Sequence, residues 1–173
     1  IHPLKNLKVY LKGRGSRVEV LGIIPGKGDA FFDVAVSVIH QGINTSAHTH
    51  VRGVLFDNSR ARFYGLIRID KGADKTLSLL ENRMLILGDG ARADSIPSLE
   101  IEADDVKASH AATIGRIDEQ QLFYLQSRGI ERKTATRMVV DGFFEPIISK
   151  IDDAAVIAMI RGDLWVDILK GKD

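Results

Sequence analysis

LEIEADDVKASHAATIGRIDEQQLFYLQSRGI, residues 99–130, changes its period part-way along. Its start alternates apolar and acidic side chains, the pattern of a strand with one buried face. Glu100 and Glu102 share one side of that strand. Asp104 and Asp105 are adjacent and read as a polar corner. His110 comes next, at the expected strand-to-helix transition. Asp118 then reads as an N-cap, with Gln121 three residues on completing a capping-box-like pair. The run EQQLFYLQSR carries Phe123, Tyr124 and Arg128 and stops at Gly129, a residue suited to the positive φ of a helix end. This stretch is a seam between a β region and a helical one.

Upstream, from about Val9 to Ile117, the chain is a series of short apolar or alternating runs: 9–11, 17–24, 31–39, 51–56, 62–69, 83–87 and 98–103. KGRGS, PGKGD, FDNSR, KGADK and LGDGARADS separate them, because Gly accepts positive φ and Asx side chains close turns. Strands recurring at roughly ten- to eighteen-residue spacing fit a sandwich, a barrel or a parallel solenoid. Their short, even length and polar corners favour the solenoid. Downstream, Glu131–Asp141 reads as a helix burying Ala135, Met138 and Val139, with Gly142 as its stop and Pro146 restricting the residues after it. Asp152–Lys170 reads as one or two further helices with Val156, Ile157, Ile160, Leu164, Trp165 and Ile168 apolar. The expectation is a mainly β protein: a β core over 1–117 and a helical appendage over 118–173.

The composition suits a packed core, with 45% apolar residues. The 24 basic and 23 acidic residues give no general attraction to nucleic acid or membrane. With no Cys, disulfides, thiolate nucleophiles and an all-Cys cluster site are excluded within the chain. No apolar run is long enough to cross a bilayer, and a cytoplasmic location is expected. The first residue is Ile1 rather than Met, which leaves a longer parent chain open.

The chemical signals are sparse. His110 is a structural histidine or a metal ligand, since neutral imidazole suits Fe, Zn and Cu. His48 and His50 share a strand face but have no third ligand nearby in sequence, so they read as exposed polar positions. PGKGDAF lacks the spacing and terminal Lys-Ser/Thr of a phosphate loop and reads as a turn. Ser109 beside His110 makes no dyad, because neighbours on a strand face apart. Phe123, Tyr124, Phe143 and Phe144 are either the core of the helical part or a docking face.

Residues 53–148 taken together resemble the C-terminal half of the SufB/SufD scaffold proteins of iron–sulfur cluster assembly. The ordered motifs SRxxFxGxI, PxLEIxADDVxxSHxAT and QLFYLxSRGI carry that resemblance. It implies a right-handed parallel β-helix followed by C-terminal helices. It further implies a non-catalytic scaffold that pairs through its β-helix with a SufB-type subunit or a second copy, and holds a SufC-type ATPase through its helices. Phe123, Tyr124, Arg128, Gly129 and Phe143 match the docking region, and ATP would belong to the partner. His110 matches a histidine of SufD implicated in iron handling or cluster assembly. Ala108 stands where SufD often has Cys, Glu81 where SufB types commonly have a cluster-building Cys, and Ala111 where SufB types often have a carboxylate. These departures make the chain SufD-like. His110 with Glu81 is the oxygen–nitrogen set that would hold iron. No tightly bound cofactor is expected in isolation, and iron or a cluster only in an assembled complex. Two rival readings are a carbohydrate-active β-solenoid, disfavoured because the single Trp165 lies in the helical tail, and a purely structural self-association module.

Overall fold

The computed structural model describes residues 5–169, with side chains through Gly162. Eight strands precede three helices: β1 (Lys5–Leu11), β2 (Arg17–Gly26), β3 (Phe31–His40), β4 (Ser46–Leu55), β5 (Arg60–Ile69), β6 (Thr76–Ile86), β7 (Arg92–Ile101), β8 (Val106–Arg116), α1 (Glu119–Ser127), α2 (Arg132–Ile148) and α3 (Ala154–Leu169). The odd strands form one sheet, β1-β3-β5-β7, and the even strands another, β2-β4-β6-β8. Strands β1 to β5 each pair in parallel with the strand two later, and β6 neighbours β8 in the same order. Two strands make one turn, and four turns make a parallel β-solenoid, as expected. The chain divides into two compact units, Ile1–Gly115 and Arg116–Asp173.

The register is nearly constant. Lys5 lies beside Val34, Arg17 beside Ser46 and Phe31 beside Arg60, an offset of 29 residues. It becomes 31 between Ser46 and Leu77, and 32 between Arg60 and Arg92. Alternation then stacks like on like. In β5, Ala61, Phe63, Ile67 and Ile69 are buried, whereas Arg60 and Arg68 are exposed. The core joins Ile24, Val36, Val51, Leu55, Phe63, Leu80 and Met84 from successive turns. Full burial of a side chain such as Phe63 stabilises by about 1.5–3 kcal/mol.

The corners use left-handed residues: Asn44 (φ 58°) and Lys75 (φ 59°) at one corner of successive turns, and Gly28 (φ 58°) and Asp57 (φ 52°) at the other. Asn and Asp adopt this conformation at low cost because their short polar side chains bond locally. The Asp57 carboxylate accepts from Gly28 N at 2.8 Å, which ties one corner to the next. Gly88 packs against the Asp57 backbone so closely that a Cβ would collide with it. Pro25 and Pro97 fall on β2 and β7, the edge strands of their sheets, where a missing N–H costs least.

Several boundaries differ from the sequence expectation. Strands β4, β6 and β7 begin at Ser46, Thr76 and Arg92, well before the apolar runs at 51, 83 and 98. Buried polar side chains, including Thr49, Thr76, Ser78 and Asn82, occupy core-facing positions of β4 and β6, and in β6 Leu77 and Leu79 face outward instead, so hydrophobic patterning does not mark the core face there. Glu102 lies beyond the end of β7, and His110 sits mid-strand in β8 rather than at a strand-to-helix transition.

In the second unit, Asp118 Oδ1 accepts from Gln120 N at 2.8 Å and Gln121 N at 3.4 Å, capping α1 as expected. Gly129 (φ 83°) ends it: Gly129 N donates to Gln126 O and Ile130 N to Leu125 O, the two bonds of a Schellman motif. Helix α2 runs through Gly142 and Pro146, contrary to the expected stop at Gly142. Val140, Phe144, Ile147 and Ile148 are buried along it, and that burial outweighs the lower propensity of Gly and Pro. Met138 is exposed rather than buried, and Phe144 rather than Phe143 fills the interior. Asp153 caps the single helix α3 through Ala155 N and Val156 N. The side chains of Leu164, Trp165 and Ile168 lie outside the described residues.

A cluster of buried polar side chains in the solenoid centres on His40. His40 Nδ1 is 2.8 Å from Thr45 Oγ1 and Nε2 is 3.0 Å from Ser78 Oγ, and Thr45 Oγ1 is 3.0 Å from Thr76 Oγ1. Hydroxyls adapt to a neutral ring, which offers one donor and one acceptor. Burial lowers the imidazole pKa from 6.5 to about 4. Between those values the unfolded chain takes up a proton that the folded chain refuses, so stability falls as pH drops through the window. The full loss is on the order of 3 kcal/mol. Urea unfolding at pH 7.5 and pH 4.5 should show the midpoint falling with acid, and His40→Gln should reduce the difference; an equal difference in both proteins would exclude His40 as its source.

Candidate functional site

Alternation decides where each expected ligand lies. Glu81 lies on β6 between Leu80 and Asn82, which are buried, so it occupies the outer face of the second sheet. There it pairs with Arg83 Nε and lies 3.7 Å from Arg52 Nη2 and 4.0 Å from His50 Nδ1. Burial is the main cause that lowers the Arg52 pKa, Arg83 adds to it, and Glu81 opposes it. Glu81 is thus the counter-charge that lets two guanidinium groups sit on neighbouring strands.

His110 lies on β8, which neighbours β6, and is exposed. In β8, Val106 and Ala108 pack against the core, so alternation puts His110 on their side of the strand. Glu81 and His110 therefore alternate to opposite faces of the sheet. The structure gathers Glu81 with Arg52, Arg83 and His50 instead. Among the described residues, the one three-residue group with metal-ligand spacing is Glu19, His48 and His50.

Those histidines were expected to be exposed polar positions, and they are half-buried. The ligand that sequence proximity could not supply is Glu19, which lies beside His48 in the β2–β4 register. Adding one turn of 29 residues to position 19 would have found it.

The helical unit carries the expected aromatic surface. Phe123 is 72% exposed and Tyr124 58% exposed on α1, whereas Leu122 is buried. The Arg128 guanidinium lies 5.3 Å from the Tyr124 ring centroid, and its Nη2 donates to Tyr124 Oη at 3.4 Å. Phe143 is half-buried and meets the Phe144 ring edge-on at 5.6 Å. Arg132 bridges α2 to α1 through both Glu119 oxygens, at 2.9 and 3.0 Å.

Residues 3–143 match the family described as SUF system FeS cluster assembly, SufBD core domain. The chain belongs to the SufBD family. It is SufD-like: it is 36% identical over 141 residues to the iron–sulfur cluster assembly protein SufD of Bacillus subtilis strain 168, covering 82% of this chain and 32% of that protein. Identity to SufD of Escherichia coli K12 is 36% over 149 residues, 86% of this chain and 35% of that protein. A SufBD family protein of Mycobacterium tuberculosis H37Rv is 33% identical over 148 residues, 86% of this chain and 18% of that protein. The chain spans about a third or less of the length of these relatives.

This SufBD chain has no thiol, so its candidate donors to a metal are imidazole and carboxylate. Such a set suits a lone divalent ion and not a thiolate-held cluster. No helix among the described residues is long and apolar enough to cross a membrane.

Replacing Glu81 by Gln removes the counter-charge from Arg52 and Arg83. We expect a stability loss of about 1 kcal/mol at low salt. The loss should shrink in about 1 M NaCl, where exposed charges are screened. Denaturant titrations at the two ionic strengths read both effects, and a loss independent of salt would contradict the charge argument.

Proposed function

We propose that this chain is a non-catalytic, SufD-like scaffold in iron–sulfur cluster assembly. Its solenoid pairs with a SufB-type subunit or a second copy, and its helices dock a SufC-type ATPase. The observation that carries the docking half is the aromatic surface of α1. Large apolar rings at 72% and 58% exposure, beside an Arg held over one of them, have the composition of an interface centre. Phe123, Tyr124, Arg128, Gly129 and Phe143 form that docking set. Gly129 contributes by ending α1 sharply, so that Arg128 stays beside Tyr124.

The pairing half is supported by the last turn. β7 and β8 are the edge strands at the C-terminal end of their sheets, and Ile96, Leu99, Ile101 and Ile114 on them are exposed. Open edges with apolar side chains invite pairing. His110 on β8 would be presented at such a junction, where a partner can supply the thiolates this chain lacks. The iron or the growing cluster is then cargo of the complex. The family match supports this scaffold reading over a carbohydrate-active solenoid.

Pull-down with a SufC-type ATPase tests docking. Phe123→Ala and Arg128→Glu should each weaken capture by about tenfold or more, the loss expected at an interface centre, and unchanged capture by both would reject the claim. For His110, the His110→Ala chain should fold and pair normally yet lower the yield of cluster formed anaerobically with a Cys-bearing SufB-type partner. Normal yield would remove His110 from the assembly site.

A further inference from the structure

The outer face of the second sheet holds a constellation that the scaffold role does not use. Glu19 on β2 and His48 on β4 are register neighbours, and His50 is two residues further along the same face. One ligand atom from each of the three lies within 4.8 Å of the others. Two imidazoles and a carboxylate suit a first-row divalent ion such as Fe²⁺, Co²⁺ or Zn²⁺. We propose that Glu19, His48 and His50 bind one divalent transition-metal ion, at a site separate from His110.

Three features carry this. First, the backbone prearranges the ligands. Parallel strands about 4.8 Å apart and alternation along β4 put all three side chains on one side with no loop to order. Ligand atoms around an ion with bonds of about 2.0–2.2 Å lie about 3–3.5 Å apart. The side chains close the remaining distance by small rotations. Second, both nitrogens of His50 face carboxylates. Nε2 lies 3.9 Å from Glu19 Oε1, and Nδ1 lies 4.0 Å from Glu81 Oε2. A metal at Nε2, shared with Glu19, leaves Nδ1–H on the side of Glu81, from where a small shift would complete a carboxylate–histidine–metal relay. Third, Glu81 is already engaged by Arg52 and Arg83, so it stands beside His50 rather than joining the ion. Three protein ligands leave open positions, which suits an exchangeable ion more than a closed structural one.

The proposal does not depend on SufC docking or on cluster assembly, and its test is separate from theirs. The tag-free full chain is titrated with Co²⁺ followed by visible absorption, and with Zn²⁺ by calorimetry. One equivalent should bind, and Glu19→Gln, His48→Ala and His50→Ala should each weaken binding by about ten- to a hundredfold. Glu81→Gln should weaken it less, and His110→Ala should leave it unchanged. Zn²⁺ should raise the melting temperature of the wild-type chain and not that of His48→Ala. The wild-type chain alone gives a further reading: of its five histidines, the imidazole proton resonances of His48 and His50 should shift with Zn²⁺. Absence of saturable binding, binding that survives both histidine substitutions, or resonance shifts confined to His110 would overturn the site.

Discussion

The parallel ladder between successive turns is the constraint on which the rest of this molecule depends. Strands β1 to β5 each lie on the one two places later at an offset of 29, 31 or 32 residues. Side chains alternate with period two, so the register alone decides which residues stack inward. A slip of one residue would drive Arg60, Arg62 and Arg68 inward and expel Phe63 and Ile67. The corners protect the register. The Asp57 carboxylate bonds the corner one turn earlier, and Gly88 lets the next one lie against the Asp57 backbone.

The same ladder builds rows on the outside. Glu19 beside His48, and His50 beside Glu81, come from three strands distant in sequence. A surface made this way can hold a charge cluster or an ion without any loop, because the scaffold and not local sequence sets the spacing. The inside of the ladder is also partly polar. Thr45, Thr76, Ser78 and His40 satisfy one another in the buried interior, which is tolerated because each finds a partner at fixed spacing.

The helical unit works on a different principle. Its single-face burial of Leu122, Ala135, Val140 and Phe144 leaves Phe123 and Tyr124 in water. Burying these two rings would remove apolar surface from water, which is the physical basis of the proposed docking role. With no Cys in the sequence, imidazole and carboxylate are the metal-binding side chains at hand.

Much of this was legible in the residues. The apolar runs located the core strands, Asp118 and Gly129 bounded α1, and the ordered motifs indicated the SufBD family. These features are local: a cap, a turn or an alternating run acts over a few residues. What stayed hidden was non-local. β4 and β6 bury Thr, Ser and Asn at core-facing positions, and those residues carry no apolar period. The path of α2 through Gly142 and Pro146 was decided by burial of Phe144, Ile147 and Ile148. His110 and Glu81 looked like partners, and only alternation about the sheet put them on opposite faces. His48 and His50 looked unsupported, and only the 29-residue turn brought Glu19 beside them. The sequence by itself determined the elements and the family, because those depend on short-range chemistry. The tertiary structure decided which side chains meet, because meeting depends on the register between turns.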